Sequence, residues 1–469
     1  MSRFLLLTKI LASLTMVLTG CAAMVRTPYH PPAVTIPPAW SYPSSIHPTD
    51  DGQWWQHFND PTLNKLINES LRRNTDLAIA ALRLRKALLQ AELADSQQLP
   101  SVQVAGSASY SRDLRTQTRE TKTFGASLFA SYTVDLWGEL ANDSDAARWE
   151  ARATEEDRAN TALALTGTTA SLYLRIGYLN QRLGLSLASI DYTRRSLELA
   201  RIRQDAGAAT SLDVLEVERS LATQEANYAT LLQQRTEARN ELRIVFDQPP
   251  QQNLNIIELG SLLQINLPEV AAGLPAQVLA RRPDLRAAEA RLRSTLAAGD
   301  ATRASFYPSI TLSGSLGRSS EELSRLLSNP IGTVAADLAL PFVQWRDMQR
   351  TISISEADYE QATLAFRQTL YNALAEVENR LSARQRYQEE YVQLAKALEA
   401  AQKAEELYRI RYQAGGIAVK PWLDAQESRR QAEISVAENR FNQLQNHIAL
   451  IKALGGDAGG NGNDIVLPQ

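Results

Sequence analysis

Side chains able to do covalent or metal chemistry are few in this chain, and they do not gather. The four histidines, His30, His47, His57 and His447, are scattered along its 469 residues. No HExxH pair, Walker loop, strand-borne GxGxxG or Cys/His metal spacing occurs. The carboxylates fall mostly on helical faces among Arg and Gln, where solvated i,i+4 pairing is their ordinary role. Two stretches stand apart, Ala206 to Glu216 and Ala414 to Asp424. They are Gly-containing turns between long helical segments and carry Asp213, Glu216 and Asp424. The ordinary role for Asp213 and Asp424 there is as acids at helix N-termini, where the dipole favours them. The sequence therefore predicts no enzyme, no cofactor and no bound metal. A formal charge of −3 leaves no basic excess to neutralise phosphates, which argues against nucleic acid as a partner.

Cys21 is the single cysteine, so no internal disulfide can form. Arg3 precedes and Lys9 interrupts an apolar stretch from Phe4 to Leu18, too short for a membrane-spanning helix and shaped like a secretory signal over residues 1–20. It ends in Leu18-Thr19-Gly20-Cys21, which resembles the lipobox of bacterial lipoproteins, whose cysteine becomes an acylated N-terminus. Ala22 in place of Asp points to outer-membrane sorting. A cysteine buried there by chance is the alternative. Residues 21–55 form an arm with Pro28, Pro31, Pro32, Pro37, Pro38, Pro43 and Pro48, which must run extended. No later segment has about eighteen uninterrupted apolar residues, so no transmembrane helix is expected.

The remainder is written twice. Asp76-Leu77 returns as Asp284-Leu285, Arg83-Leu84-Arg85 as Arg291-Leu292-Arg293, Trp137 as Trp345, and Arg201-Ile202-Arg203 as Arg409-Ile410-Arg411. Each match lies 208 residues from its partner. The copies span 56–250 and 276–456, with a linker at 251–275 and a flexible tail at 457–469. Each predicts a helix ending at a proline (Pro100, Pro308), two strands, a very long helix at about 139–206 or 347–413, a Gly turn and a second long helix. Leu172, Ile176, Leu179, Leu183, Leu187, Ile190 and Leu197 step by four and three, as do Leu394, Leu398 and Ala401 before Tyr408 and Tyr412. Such stripes predict coiled-coil seams, with an ordinary helical bundle as the alternative.

Strands are predicted at 101–112, 123–136, 309–318 and 331–341. Val102, Val104, Phe124, Leu128, Leu312, Leu316, Val334 and Leu338 alternate with small or polar residues that include Ser107, Ser127, Ser131, Thr311 and Ser313. Alternation over about ten residues suits a transmembrane strand with lipid on one face and a wet lumen on the other, and also a half-buried soluble hairpin. Four strands cannot close a barrel, and open edges are not tolerated in lipid, so copies must pool their strands. Two copies give eight strands, whose interior side chains fill; three give twelve and leave a lumen.

Trp54-Trp55, Phe58, Asp60-Pro61, Leu63, Leu66-Ile67, Leu71, Asn74 and Asp76-Leu77 resemble the opening signature of the outer-membrane factor (TolC-like) family, in its lipoprotein branch of OprM- and NodT-type efflux subunits. Arg281-Arg282-Pro283-Asp284 and Phe306-Tyr307-Pro308-Ser309-Ile310 extend the likeness, which covers nearly everything from Cys21 to Gly456. The resemblance implies a homotrimer, mainly α-helical, with a twelve-stranded β-barrel in the outer membrane and a long α-helical barrel in the periplasm, the linker lying at its equator. It implies an efflux duct lipid-anchored at the cell outer membrane, working with a periplasmic adaptor and an inner-membrane pump, usually of the resistance-nodulation-division class. An exit duct for type I protein secretion and a non-channel coiled-coil lipoprotein remain as alternatives. In the family the two hairpin tips form a periplasmic gate. Asp424 falls where a constriction aspartate is common, and Asp213 and Tyr412 where some relatives tether adjacent hairpins; Glu216 joins them as a tip carboxylate. Pro421 stands where an acidic or polar residue is often found in the family, and Glu427 where an arginine is usual. Acyl chains bury about 0.8 kcal/mol per methylene, so two or more give stable anchoring. The intact mass of the mature protein is therefore expected to carry an acyl adduct on Cys21, and an unmodified mass would end the lipoprotein reading.

Overall fold

Asp60, extended itself, accepts hydrogen bonds at its carboxylate from the Thr62 and Leu63 amides at 2.8 and 3.1 Å and so starts a helix at Pro61. Its other oxygen accepts from the Tyr173 hydroxyl at 2.8 Å, tying that helix to a distant one. The computed structural model describes residues 25–42, 53–112, 120–251, 257–262, 265–268, 275, 280–321 and 331–456. Cys21, the expected signal peptide and the expected tail at 457–469 lie outside the described residues. After a 3-10 turn at Trp54–Phe58, the described elements are α1 (Pro61–Arg73), α2 (Thr75–Ser96), β1 (Ser101–Arg112), β2 (Glu120–Val134), α3 (Glu139–Asp205), α4 (Ser211–Val245), α5 (Pro283–Ala304), β3 (Ser309–Ser320), β4 (Ile331–Ala339), α6 (Trp345–Gln413) and α7 (Val419–Ala453). α3 runs unbroken for 67 residues and α6 for 69. β4 stops at Ala339, two residues before its expected end; Leu340 leads into a 3-10 turn at Pro341, which has no amide to give a ladder.

The chain forms two compact units, and both copies contribute to each. The first is drawn from the chain up to Val34, Leu82–Glu156 and Arg286–Thr369. The second takes Thr35–Ala81, Asp157–Leu285 and the chain from Leu370.

In the first unit the strands make one antiparallel sheet in the order β1-β2-β3-β4, so β1 and β4 are its edges. The register places Ser131 opposite both Ser101 and Ser313, Ser127 opposite Ala105 and Gly317, Ser107 opposite Gly125, and Thr311 opposite Thr133. Opposed residues share a face, so all five expected lumen residues stand on one side. Phe129 and Ile331 share that side through the row Gln103–Phe129–Ser315–Thr333 and its neighbour Ala105–Ser127–Gly317–Ile331. The other side carries Val102, Val104, Leu128, Leu312, Leu316, Val334 and Leu338, all exposed in the protomer, Val334 at 91%. Beside the sheet, Trp137 donates its indole N–H to the Pro308 carbonyl at 2.9 Å and packs on Tyr307. The Pro-rich arm is held to this unit: the Thr27 amide and hydroxyl donate to the buried Asp300 carboxylate at 2.7 and 2.8 Å, and Arg293 lies between the rings of Tyr29 and Trp149.

The second unit holds the main core, where Trp54, Trp55, Phe58, Leu63 and Ile67 pack with Leu172, Ile176, Leu242, Leu444 and Ile448. The α3 stripe is buried at Leu172, Ile176, Leu179, Leu183, Ile190 and Leu197, but Leu187 is 45% exposed and falls out of the expected seam. The buried residues of the stripe end at Leu183 and resume at Ile190, with Leu185, Ser186 and Ser189 half-buried between them. In α6 only Tyr412 of the expected stripe is buried; Leu394, Leu398 and Ala401 are half-buried and Tyr408 is exposed. The duplication is also written in hydrogen bonds. Asn74 Nδ2 donates to the Val245 carbonyl at 3.0 Å, and 208 residues on Arg282 donates to the Ala453 carbonyl at 2.7 Å. Each closes the end of its copy's last helix, whose terminal carbonyls have no helical partner.

A charge on the apolar sheet face, Leu128→Arg, is expected to cost about 2–4 kcal/mol near the middle of a bilayer, whereas Ser127→Arg on the other face is tolerated. Urea unfolding of the two variants in lipid vesicles compares them, and equal destabilisation would overturn the assignment of faces.

Candidate functional site

The ends of α3 and α6 turn in the same way. Gly207 and Gly415 adopt φ of +70° and +76°, a left-handed conformation that side chains resist. The Gly207 and Ala208 amides donate to the Gln204 and Arg203 carbonyls; the Gly415 and Gly416 amides donate to those of Tyr412 and Arg411. This closing pattern satisfies the last helical carbonyls and reverses the chain within a few residues.

Beyond the turns the copies diverge. Thr210 caps α4: its hydroxyl accepts from the Asp213 amide at 3.3 Å, while the Asp213 carboxylate accepts from the Thr210 amide at 2.8 Å, a reciprocal capping box. The Thr210 amide and then the Thr210 hydroxyl, each donating to the Asp213 carboxylate at 2.8 Å, hold that carboxyl below its ordinary pKa, with smaller help from the Val419 backbone and the Arg203 charge. In the second copy Ala418 precedes α7 with no side-chain cap. Pro421, 208 residues after Asp213, sits in the first turn, where a missing amide costs nothing. Asp424 comes after that turn and is not a cap; its carboxylate pairs with Lys420 at 2.9 Å. Glu216, its counterpart in copy one, is half-buried one turn into α4. Glu427 pairs with Arg430 along its own helix. Asp213 is thus a cap, as the ordinary role of such acids predicts, and Asp424 is not.

The implied tether between Asp213 and Tyr412 is not made within the protomer. Tyr412 is buried, its hydroxyl has no partner among the described residues, and its ring stacks on Trp422 at 4.9 Å and 24°. Arg203 lies 4.5 Å over the other side of that ring and donates to the Tyr412 carbonyl at 2.5 Å. The Trp422 indole N–H donates to Glu405 Oε1 at 2.9 Å, and the Tyr192 hydroxyl donates to the same oxygen at 2.5 Å. Burial, and then the bond to Glu405, push the Tyr192 hydroxyl pKa up. Around them Leu197, Ala200, Val214, Val217 and Val419 complete a small apolar cluster. Sequence reasoning missed Tyr192, Arg203, Glu405 and Trp422. One signal was available: Glu405 stands 208 residues after the seam residue Leu197, so an acid occupies an apolar seam position. Among the described residues no group of three or more His, Cys, Asp or Glu side chains is placed to hold a metal. No described helix is long and apolar enough to cross a membrane.

A paired-repeat helical chain with a two-faced, four-stranded sheet invites comparison with known channels. The family described as outer membrane efflux protein matches residues 66–245 and 274–456, well over half the chain. The chain belongs to the outer membrane efflux protein family. It is 30% identical over 403 residues to "Toxin and drug export protein A" of Aggregatibacter actinomycetemcomitans, covering 86% of this chain and 88% of that protein. It is 31% identical over 459 residues to "Pyoverdine export outer membrane protein OpmQ" of Pseudomonas putida, covering 95% and 96%. The MtrE outer-membrane channel of Neisseria gonorrhoeae, solved in its open state, matches with a TM-score of 0.83 at 26% identity, covering 92% of this chain and 98% of that one. The protein is an outer-membrane efflux channel subunit.

The capping box yields a pH-dependent prediction for this channel. A carboxyl with a lowered folded pKa contributes stability above the unfolded value of about 4 and loses it as pH falls through the folded value. Asp213→Ala is expected to raise amide exchange at the start of α4 by about 2–30-fold at pH 7, the range a lost cap gives. After correction for intrinsic exchange rates, the difference should vanish once acid protonates Asp213 in the unmodified protein. A difference that persists unchanged in acid would assign the stabilisation to something other than the ionised box.

Proposed function

We propose that three copies of this chain form the outer-membrane duct of a tripartite efflux system exporting drugs or other small toxic compounds. The observation that carries this reading is a four-stranded sheet with one apolar face, one face mostly of small polar residues with Phe129 and Ile331 among them, and β1 and β4 as its edges. Joined edge to edge, β4 to the next β1, three sheets give a twelve-stranded barrel with Ser107, Ser127, Ser131, Thr311 and Ser313 around a wet lumen. Drug and pyoverdine export in the names of the relatives supports small compounds as cargo. The word "toxin" in one of those names favours a second reading, a duct for protein secretion. The partners are a periplasmic adaptor and an inner-membrane pump of the resistance-nodulation-division class. Acyl chains on Cys21 add a lipid anchor to the barrel. The chain is organised as signal 1–20, arm 21–55, repeats 56–250 and 276–456 joined by 251–275, and tail 457–469.

The hairpin tips act as the periplasmic gate. Threefold symmetry multiplies Asp213, Glu216 and Asp424 around one axis, and a ring of carboxylates attracts cations. Lys420 beside Asp424 offsets part of that charge. In planar bilayers the purified complex should have the mass of three chains and conduct with a preference for cations. Replacing Asp213, Glu216 and Asp424 together with Ala should abolish the preference, and Lys420→Ala should sharpen it, both read as reversal potentials. A single chain that does not conduct would leave the non-channel lipoprotein reading standing. Unchanged reversal potentials in both variants would move the gate elsewhere.

A further inference from the structure

The contacts at the tip form one continuous chain: Tyr192, Glu405, Trp422, Tyr412, Arg203. Its two ends lie on the same helix. Tyr192 and Arg203 are eleven residues apart on α3, three turns, and therefore on one face. The three middle residues belong to the other hairpin, Glu405 and Tyr412 on α6 and Trp422 on α7. α3 of copy one thus grips the hairpin of copy two at two heights. The upper grip turns on a single oxygen, Glu405 Oε1, which accepts from both Tyr192 and Trp422. Glu405 is 6% exposed, and an acid this buried is costly unless its bonds are made. Cationic groups also face the cluster: Arg429 of α7 lies 5.7 Å over the Tyr192 ring, and Arg409 of α6 feels the charge of Glu405. The lower grip is Arg203 on the Tyr412 ring and carbonyl. Copy one has nothing like it, for Leu197 and Val214 stand where copy two has Glu405 and Trp422.

We infer that Glu405 is a positioning residue for the gate, fixing the second hairpin against the first within each protomer and so holding the resting, closed arrangement. The inference rests on the hairpin tips being the gate. Glu405 touches no cargo; it acts through Trp422, whose ring carries Tyr412, whose backbone carries the Gly415 turn. Freeing that oxygen releases the second hairpin while the main core, built around other residues, stays intact. The tie is a pair of hydrogen bonds to one acceptor rather than a charge pair, so an amide oxygen should serve in its place.

The test uses the full-length trimer. Glu405→Leu, Glu405→Gln and Tyr192→Phe are each reconstituted in planar bilayers, and spin labels at Ala208→Cys and Ala418→Cys report the separation of the two tips. Glu405→Leu is expected to lower the preference for the closed state roughly tenfold per protomer, what one or two hydrogen bonds are worth, and to broaden the label distances. Tyr192→Phe should do so more weakly, and Glu405→Gln should restore closure and narrow distances. Unchanged label distances in Glu405→Leu would overturn the clamp. Distances that broaden without a change in conductance would overturn the tip as the gate, and with it this role, while leaving the clamp standing. Glu405→Gln as open as Glu405→Leu would overturn the hydrogen-bond account in favour of charge.

Discussion

A strand edge placed in hydrocarbon carries a row of amides and carbonyls with no water to bond, and each unmet group costs several kcal/mol. The sheet of this protein has two such edges, β1 and β4, and no described segment covers either. The requirement to pair them reaches through the rest of the molecule. It makes the protomer an incomplete object, so apolar residues outside the sheet can also be left bare: Leu82, Leu89 and Leu93 on α2, and Ile354 and Leu364 on α6, are all exposed. In a chain that ended with its own surface, exposed apolar side chains gathered into a patch would be a liability. In one that must join copies of itself they have a use.

The same requirement explains the duplication. Each copy supplies two strands and a helical hairpin, and copy two adds Leu444 and Ile448 to a main core whose other buried members come from the arm, the first copy and the linker. Two copies in one chain share a core, and the residues that close each copy repeat in place and in purpose. Asn74 and Arg282 differ in type but reach carbonyls 171 residues away in both cases, Val245 and Ala453. The backbone of the tips is conserved between copies in the same sense, through Gly207 and Gly415. The side chains of the tips are not. Thr210 with Asp213 is answered by Ala418 with Pro421, and Leu197 by Glu405. Backbone geometry repeats because the turn has one solution. Side chains diverge where the two hairpins meet in one cluster, Leu197 and Val214 from the first against Tyr412 and Trp422 from the second.

This division also separates what could be read in the sequence from what could not. Strand faces follow from a period of two, and the five polar residues expected on one side share it because antiparallel register preserves parity. Helix extents followed from prolines and glycines that leave the backbone little choice. Leu187 stays exposed within the protomer: periodicity says which residues share a stripe and not which of them a partner in the same chain covers. The Tyr192–Glu405 and Arg203–Tyr412 contacts were invisible because they join residues some two hundred positions apart, and the Glu405–Trp422 bond, though only 17 positions long, crosses between helices whose rotation about their axes no local pattern fixes. Asp424 looked like a helix-capping acid by composition. Only the observed start of α7 at Val419 moves it beyond the first turn and gives it Lys420 for a partner.

Stability is distributed so that the proposed gate is the part able to yield. Within the second unit the main cluster joins twenty-four buried apolar residues, whereas the tip cluster joins seven. Local opening draws on regions with few buried contacts, and the tip is held by those seven residues, two glycine turns and a handful of polar bonds. Replacing those bonds with more apolar packing would make the tip harder to open, because apolar contact grows with area and has no single point of release. Hydrogen bonds of about 1 kcal/mol each, to one carboxylate oxygen and one carbonyl, can be broken in sequence and remade. A tip built this way can stay shut at rest and still be opened by a partner whose own contacts are worth only a few kcal/mol.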